Sequence, residues 1–492
     1  MTPLYDALVA RAARNTLRCH MPGHAGHAVI PEWDAICALD FTELPGAGNL
    51  YADGDDGPIR AAERLYAQVY GAEACLFLTG GATQGLLAML SAFARPGDTV
   101  ILDRNSHISV HNALALMDLR PVWVQSSRIE PFGVTAGLPA GALAYALAAH
   151  PDAVCVLVTS PTYYGVLSDL PALAAVCAAH PVPLLVDAAH GAHLPFLDGF
   201  SSPVAQGASA AVLSAHKTLP ALGQSAFLLT GRGVSSPLLR GRAALFGSSS
   251  PSYVLMASLD VARAYMEGEG REALQKVARA AEEIRQSSPL FLGYNGNDES
   301  TNGAPGLLRP TDGTSRTPSP TRQLLTLNSQ LSTLEVDPLR LCLYTGDGHA
   351  AAQRLERADN IVCEMSDPRN VVLILSVMHA EDDLMRLKTA LESVLPPPPH
   401  HYQPQIPNSQ LSALSSQLSP KQALFAPRVS LPWREALGRV AAEPVGPYPP
   451  GAPAVARGEE IDADIMAELE RAGFEGNIWV IHHESLLRGV KS

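Results

Sequence analysis

Long apolar runs are missing from this chain of 492 residues: none approaches the ~18 consecutive residues a membrane-spanning helix needs. A basic excess is missing too. The net charge is −13, which excludes the cationic footprint of a nucleic-acid binder. The seven cysteines include no Cys-x-x-Cys pair, which argues against a disulfide framework and for a reducing cytosol. The opening residues, Met1-Thr2-Pro3-Leu4-Tyr5-Asp6, lack the charged and then apolar regions of a signal peptide, so a cytoplasmic protein is expected. His20, His24 and His27 are separated by Pro and Gly that break the helix needed to align their rings. No cysteine or carboxylate stands at ligand spacing, and no metal is expected. Internal repeats are absent.

What remains, 47% hydrophobic and 17% charged, is the composition of a globular chain long enough for two or three domains. Residues 1–58 read as an N-terminal arm with a helix near its start and a substrate-site or interface loop. Residues 59–290 alternate helical and apolar strand patterns, the signature of a mostly parallel sheet covered by helices on both faces. Residues 291–335 read as a flexible insertion, because Gly293 to Gln323 is rich in Asn, Gly, Ser, Thr and Pro. A smaller α+β domain follows at 336–395, then a Pro/Ser/Gln-rich linker at 396–428 and a C-terminal segment at 429–492.

Ligands of such sheets bind at the carboxyl ends of the strands. At those ends stand the Thr79–Gly85 turn, His107, Tyr163, Asp187 and Lys217. The turn, with Gly81, Ala82 and Thr83, lies between the strand Ala74–Leu78 and a helix expected from Leu86, an arrangement that aims backbone N–H groups at a phosphate. Asp187 and Lys217 close neighbouring strands, thirty residues apart. A buried carboxylate beside a lysine is what pyridoxal phosphate requires: the lysine holds the aldehyde and the carboxylate keeps the pyridine nitrogen protonated. Ser214 and Thr83 offer hydroxyls to its phosphate, and His107 a flat ring against its face. Singly, each has a plainer explanation, as a surface lysine, a helix cap or a satisfied loop histidine.

Several stretches carry a resemblance. They are His20-Met21-Pro22-Gly23-His24, Thr42-Glu43-Leu44-Pro45-Gly46, Arg104-Asn105-Ser106-His107 and Ser160-Pro161-Thr162-Tyr163. Asp187-Ala188-Ala189-His190-Gly191-Ala192-His193, Ser214-Ala215-His216-Lys217-Thr218, Ser249-Ser250-Pro251-Ser252-Tyr253 and Tyr448-Pro449-Pro450-Gly451 continue the series. In this order the chain resembles the bacterial pyridoxal-phosphate-dependent ornithine/lysine/arginine decarboxylases, of the aspartate-aminotransferase (type I) fold.

The resemblance implies Lys217 as the covalent anchor of the cofactor, Asp187 on the pyridine nitrogen and His107 stacked on the ring. It places Ala189 and His190 against the cofactor, and Gly81, Ala82, Thr83, Ser214 and His216 around the phosphate. Ser248 would reach the phosphate of a partner subunit, so a homodimer or higher homo-oligomer is implied. Three positions depart from the family pattern: Ala25 for a usual Lys, Ala188 for a usual Glu, and Ala82 for a usual Ser or Thr.

The implied reaction is decarboxylation of arginine, lysine or ornithine to agmatine or a diamine, feeding polyamine metabolism. Glu43, Asp53, Asp55, Asp56 and Glu364 are candidates to contact the distal cation of such a substrate. Two readings stand beside it. One is an aminotransferase or carbon–sulfur lyase of the same fold, with Arg340 available to hold a carboxylate. The other is a catalytically weakened pyridoxal-phosphate binder.

Overall fold

The computed structural model describes residues 1–14, 16–43, 46–52, 54, 56–294, 334–395, 418–446 and 451–482. Its centre is a seven-stranded sheet. In chain order the strands are β1 (Ala74–Leu78), β2 (Thr99–Asp103), β3 (Arg120–Val124), β4 (Ala153–Thr159), β5 (Leu184–Asp187), β6 (Ala210–Ser214) and β7 (Ala226–Thr230). Their spatial order is β1-β7-β6-β5-β4-β2-β3. From β3 through β6 every pairing is parallel, and β7 runs against both β6 and β1. The mostly parallel sheet expected from the sequence is therefore present, with one reversed strand inside it. That strand is as apolar and as buried as its neighbours, so its composition carries no sign of its direction.

Alternate residues of each strand enter separate cores. Phe77, Ile101, Val156, Val186 and Phe227 belong to one cluster, whereas Leu76, Leu102, Leu157, Leu185 and Leu228 belong to the other. Burial on both faces explains why the strands read as continuous apolar runs. Helix α1 (Pro58–Tyr70) opens on a proline and closes on Gly71, whose φ of 60° is the left-handed stop expected there. Its apolar stripe of Ile59, Ala62, Tyr66 and Tyr70 is buried, with Tyr66 edge-on to Phe77 at 5.3 Å between ring centroids.

Helix α2 (Gly81–Phe93) starts five residues before the Leu86 expected from the sequence. Gly81, at φ +69°, makes the turn itself, and the Gln84 side chain accepts from Gly80 N–H at 2.9 Å. Gly85 lies inside the helix rather than in a turn. A Cβ there would come 2.4 Å from Val212 Cγ2, so the helix can lie this close to the sheet only with glycine at that position.

Beyond the large sheet, β8 (Arg340–Tyr344), β9 (Met365–Ser366) and β10 (Asn370–Ile374) form a three-stranded antiparallel sheet in the order β8-β10-β9. Residues 361–364 form an irregular approach to β9, with Glu364 N–H donating to Val372 O. Helices Gly348–Asp359 and Glu381–Glu392 complete this α+β unit. Most of the insertion expected over 291–335 and of the linker expected over 396–428 lies outside the described residues, and at the end of that linker Pro420–Phe425 is a short helix. Near the C-terminus, strands β11 (Arg428–Pro432) and β12 (Asn477–Ile481) pair around Trp433, Ile465, Leu469 and Val480. Among the described residues no helix is long and apolar enough to cross a membrane.

Candidate active site

The parallel register fixes the site. Thr159 lies beside Asp187, and Asp187 beside Val212, so Asp187 closes β5 next to the strand whose end carries Ser214. A short helical turn over Ala215–Thr218 then bends Lys217 back over the strand ends. Asp187 is buried, and among the described residues its carboxylate accepts one hydrogen bond, from Ala189 N–H at 3.1 Å. Burial pushes this carboxyl up from its ordinary value, and the nearby charges of His107 and Lys217 act against that rise. Lys217 shows the mirror effect. Burial lowers its ammonium pKa, Arg340 lowers it further, and Asp187 and Glu364 act in the opposite sense.

His107 caps helix α3 (Ile108–Met117), its Nδ1 lying 2.8 Å from Ser109 Oγ and accepting from Ser109 N–H at 3.2 Å. This anchors the ring within electrostatic reach of both Asp187 and Lys217, while burial lowers its pKa. His190 Nε2 lies 3.1 Å from Lys217 Nζ. The His190 ring is buried, which holds its pKa well below that of a free imidazole, and Tyr163 stands edge-on to it at 5.1 Å. Ala189 is buried between these groups in sequence. The structure thus gathers Lys217, Asp187, His107, Ala189 and His190 at adjoining strand ends.

The remaining residues named from the sequence divide. Gly81, Ala82 and Thr83 form the first turn of α2, a terminus with no side-chain cap, where orphan N–H groups and the helix dipole favour an anion. Ser214 is buried at the end of β6, whereas His216 is held through Nδ1 by Ser225 O at 2.9 Å. Ser248 is exposed and, among the described residues, hydrogen-bonded within its own loop, to Ser250. Of the three departures, Ala188 is buried in the core and Ala25 sits in the N-terminal loop at φ 52°. Ala82 leaves its backbone N–H in the α2 turn.

The carboxylates proposed for a distal cation separate as well. Asp53 and Asp55 lie outside the described residues. Asp56 pairs with Arg64 on the surface, and Glu43 accepts from Thr42 Oγ1. Of the three described members of that set, Glu364 alone acts on Lys217, and it accepts from Tyr163 Oη at 2.6 Å. In the N-terminal loop, His24 approaches Asp40 at 3.3 Å and His20 turns to Met21 O.

Sequence reasoning underrated Arg340. It lies in β8, is 2% exposed, and donates to Tyr163 O and to His190 Nδ1, each at 3.0 Å. An arginine inside Leu339-Arg340-Leu341-Cys342-Leu343 was itself a signal, since a charge in an apolar strand demands a partner. The hydrogen-bond acceptors were 150 and more residues away and invisible in one dimension.

The buried, sparsely partnered carboxylate and the half-buried amine beside it, together with the uncapped helix terminus, fit the pyridine nitrogen, aldehyde and phosphate of pyridoxal phosphate. Comparison with known proteins leads to the same place. Residues 2–292 match the family model for the major domain of Orn/Lys/Arg decarboxylases. The uncharacterized protein YaaO of Bacillus subtilis is 32% identical over 96% of this chain and 94% of its own length. The arginine decarboxylase of the same organism is 29% identical over 95% of this chain and 93% of its own. In structure, the Francisella novicida lysine decarboxylase LdcF superposes with a TM-score of 0.76 at 20% identity, covering 98% of this chain and 81% of that one. This chain belongs to the ornithine/lysine/arginine decarboxylase family, pyridoxal-phosphate-dependent amino-acid decarboxylases of the type I fold.

Proposed function

We propose that this protein removes the carboxylate of a basic amino acid (arginine, lysine or ornithine) as CO2, with Lys217 as the anchor of the cofactor. The observation that carries the reading is the pairing of Lys217, half-buried, and Asp187, buried, at adjacent strand ends, with His107 and His190 beside them. Pyridoxal phosphate, when bound, supplies an electron sink for the pair left on Cα as CO2 departs.

The chain's own residues supply the rest. Asp187, buried at the end of β5, would face the pyridine nitrogen and keep it protonated. Lys217 Nζ, driven toward the neutral amine by desolvation, is nucleophilic and can carry a proton to and from Cα. The first turn of α2, with Thr83 and Ser214, would hold the phosphate, and His107 and Ala189 would lie against the ring. Glu364 is the favoured reader of the substrate's distal cation, because it faces Lys217 electrostatically and is steadied by Tyr163. Arg340 supports decarboxylation over amino transfer: its terminal nitrogens already donate within the protein, so it is poorly placed to clamp a substrate carboxylate.

The product class, agmatine or a diamine, suits a role in polyamine formation in the cytoplasm. A homodimer is the favoured assembly. The exposed Leu17, Met21, Val29, Trp33 and Ile36 of the N-terminal loop, and the outward-facing Ser248, are consistent with a second subunit covering this side.

The test is a panel of carboxyl-labelled arginine, lysine and ornithine with the purified protein and pyridoxal phosphate. Labelled CO2 from at least one is expected. Amino transfer to a 2-oxo acid without CO2 would overturn the reading.

A further inference from the structure

The two ring nitrogens of His190 face two different basic side chains. Nδ1 receives Arg340 Nη2 at 3.0 Å, and Nε2 faces Lys217 Nζ at 3.1 Å. A guanidinium has donors and no acceptor, and it does not deprotonate in proteins. Nδ1 must therefore present its lone pair. A neutral imidazole with a bare Nδ1 carries its one proton on Nε2. Burial and the Arg340 guanidinium on Nδ1 disfavour a second proton, so the ring is neutral. The Nε2–H then points at Lys217 Nζ, and that nitrogen can accept it only through a lone pair. An ammonium would set N–H against N–H.

From this geometry we infer that Arg340 is a positioning residue: it locks His190 in the Nε2–H tautomer, and through that ring holds Lys217 as the neutral, reactive amine. The small sheet thereby takes part in chemistry on the large one. Arg340 reaches across because β8 begins beside the Tyr163 loop, whose carbonyl takes its Nη1 at 3.0 Å. The guanidinium also lies 5.8 Å from the centre of the Tyr163 ring, which meets His190 edge-on. His190 is thus gripped on one nitrogen and on its edge, leaving only Nε2 directed at the lysine. The inference rests on Lys217 as the cofactor's anchor for its functional meaning, but the tautomer is a property of the protein alone.

The experiment is nitrogen NMR of the full-length protein carrying 15N-histidine, with the cofactor removed and then restored, and with the His190 signals assigned by their loss in His190→Gln. Before cofactor is added, the wild type is expected to show protonated Nε2 and bare Nδ1, unchanged from pH 6 to pH 8.5. In Arg340→Gln, whose amide can accept as well as donate, the ring is expected to populate both tautomers. The condensation of Lys217 with added pyridoxal phosphate, followed by absorbance, is expected to slow about tenfold at pH 7, and the rate is expected to recover as pH rises. A protonated Nδ1 in the wild type, or an imidazolium titrating in the ordinary range, overturns the lock even if the variant fails to fold. A folded Arg340→Gln with unaltered tautomer and condensation rate also overturns it. Failure of wild-type Lys217 to take up cofactor, with the tautomer as expected, would instead strike the anchor assignment and leave the lock standing.

Discussion

Arg104 and Glu459, 355 positions apart, form a buried ion pair of 2.8 Å. Arg104 also donates to Ala454 O, and Glu459 accepts from Ala456 N–H at 2.6 Å. A few residues away Ile108 N–H donates to Gly451 O, so the C-terminal segment is fastened to the turn that carries His107. The far end of the chain thus bears on the geometry of the candidate active site.

Glu459→Ala leaves a guanidinium buried without its counter-ion, a change that costs about 3–5 kcal/mol. The thermal midpoint is expected to fall by several degrees and cofactor retention to weaken, both read by scanning with and without pyridoxal phosphate. Glu443→Ala serves as the control. It removes a partly exposed pair with Arg428 at 3.6 Å, and loss of such a pair costs at most about 1 kcal/mol. Equal effects from the two substitutions would contradict the fastening role.

Asp103, buried at the end of β2, has its carboxyl pushed up to about 7 by burial, against hydrogen bonds from the Asn105 and Thr159 backbones. In the unfolded chain the same group titrates near 3.8. Between those values the folded state holds a proton that the unfolded state has lost, so this group makes stability fall as pH rises from about 4 to 7. At about 1.4 kcal/mol per pH unit the change reaches a few kcal/mol. Asp103→Asn, which cannot ionise, is expected to gain stability relative to the wild type across that window and to hold the gain above it. Parallel stability curves for the two proteins would show that Asp103 does not titrate there.

Glu364→Gln tests the reader of the distal cation. A hydrogen bond to a charged group contributes roughly 1.5–3 kcal/mol, so kcat/KM for the basic substrate is expected to drop about ten- to hundredfold, mainly through KM. Cofactor absorbance should be unchanged, because Glu364 acts on Lys217 only through space. An unaltered KM would move the recognition to another carboxylate.

Much of this was legible in one dimension because function sits where strands stop. Apolar runs ending in Asp187 and Lys217 announced both the buried strands and the residues at their ends. The start of α2 was not, because Gly80-Gly81-Ala82-Thr83 reads as a turn, while the helix begins at Gly81, with Gln84 Oε1 accepting from Gly80 N–H. Strand β3 escaped notice because Arg120-Pro121 breaks its apolar pattern at an outer, half-covered position. Helix Glu269–Arg285 also went unnoticed. The His190–Arg340 contact and the docking of Glu459 depend on tertiary proximity alone, and no local pattern encodes them.

The central claim is that Lys217 carries the cofactor. Borohydride reduction of the protein loaded with pyridoxal phosphate, followed by peptide mass spectrometry, tests it directly. The account predicts a single phosphopyridoxyl group on the peptide containing Ser214-Ala215-His216-Lys217, absent in Lys217→Ala. A label on another lysine, or undiminished labelling of the Lys217→Ala protein, would contradict it.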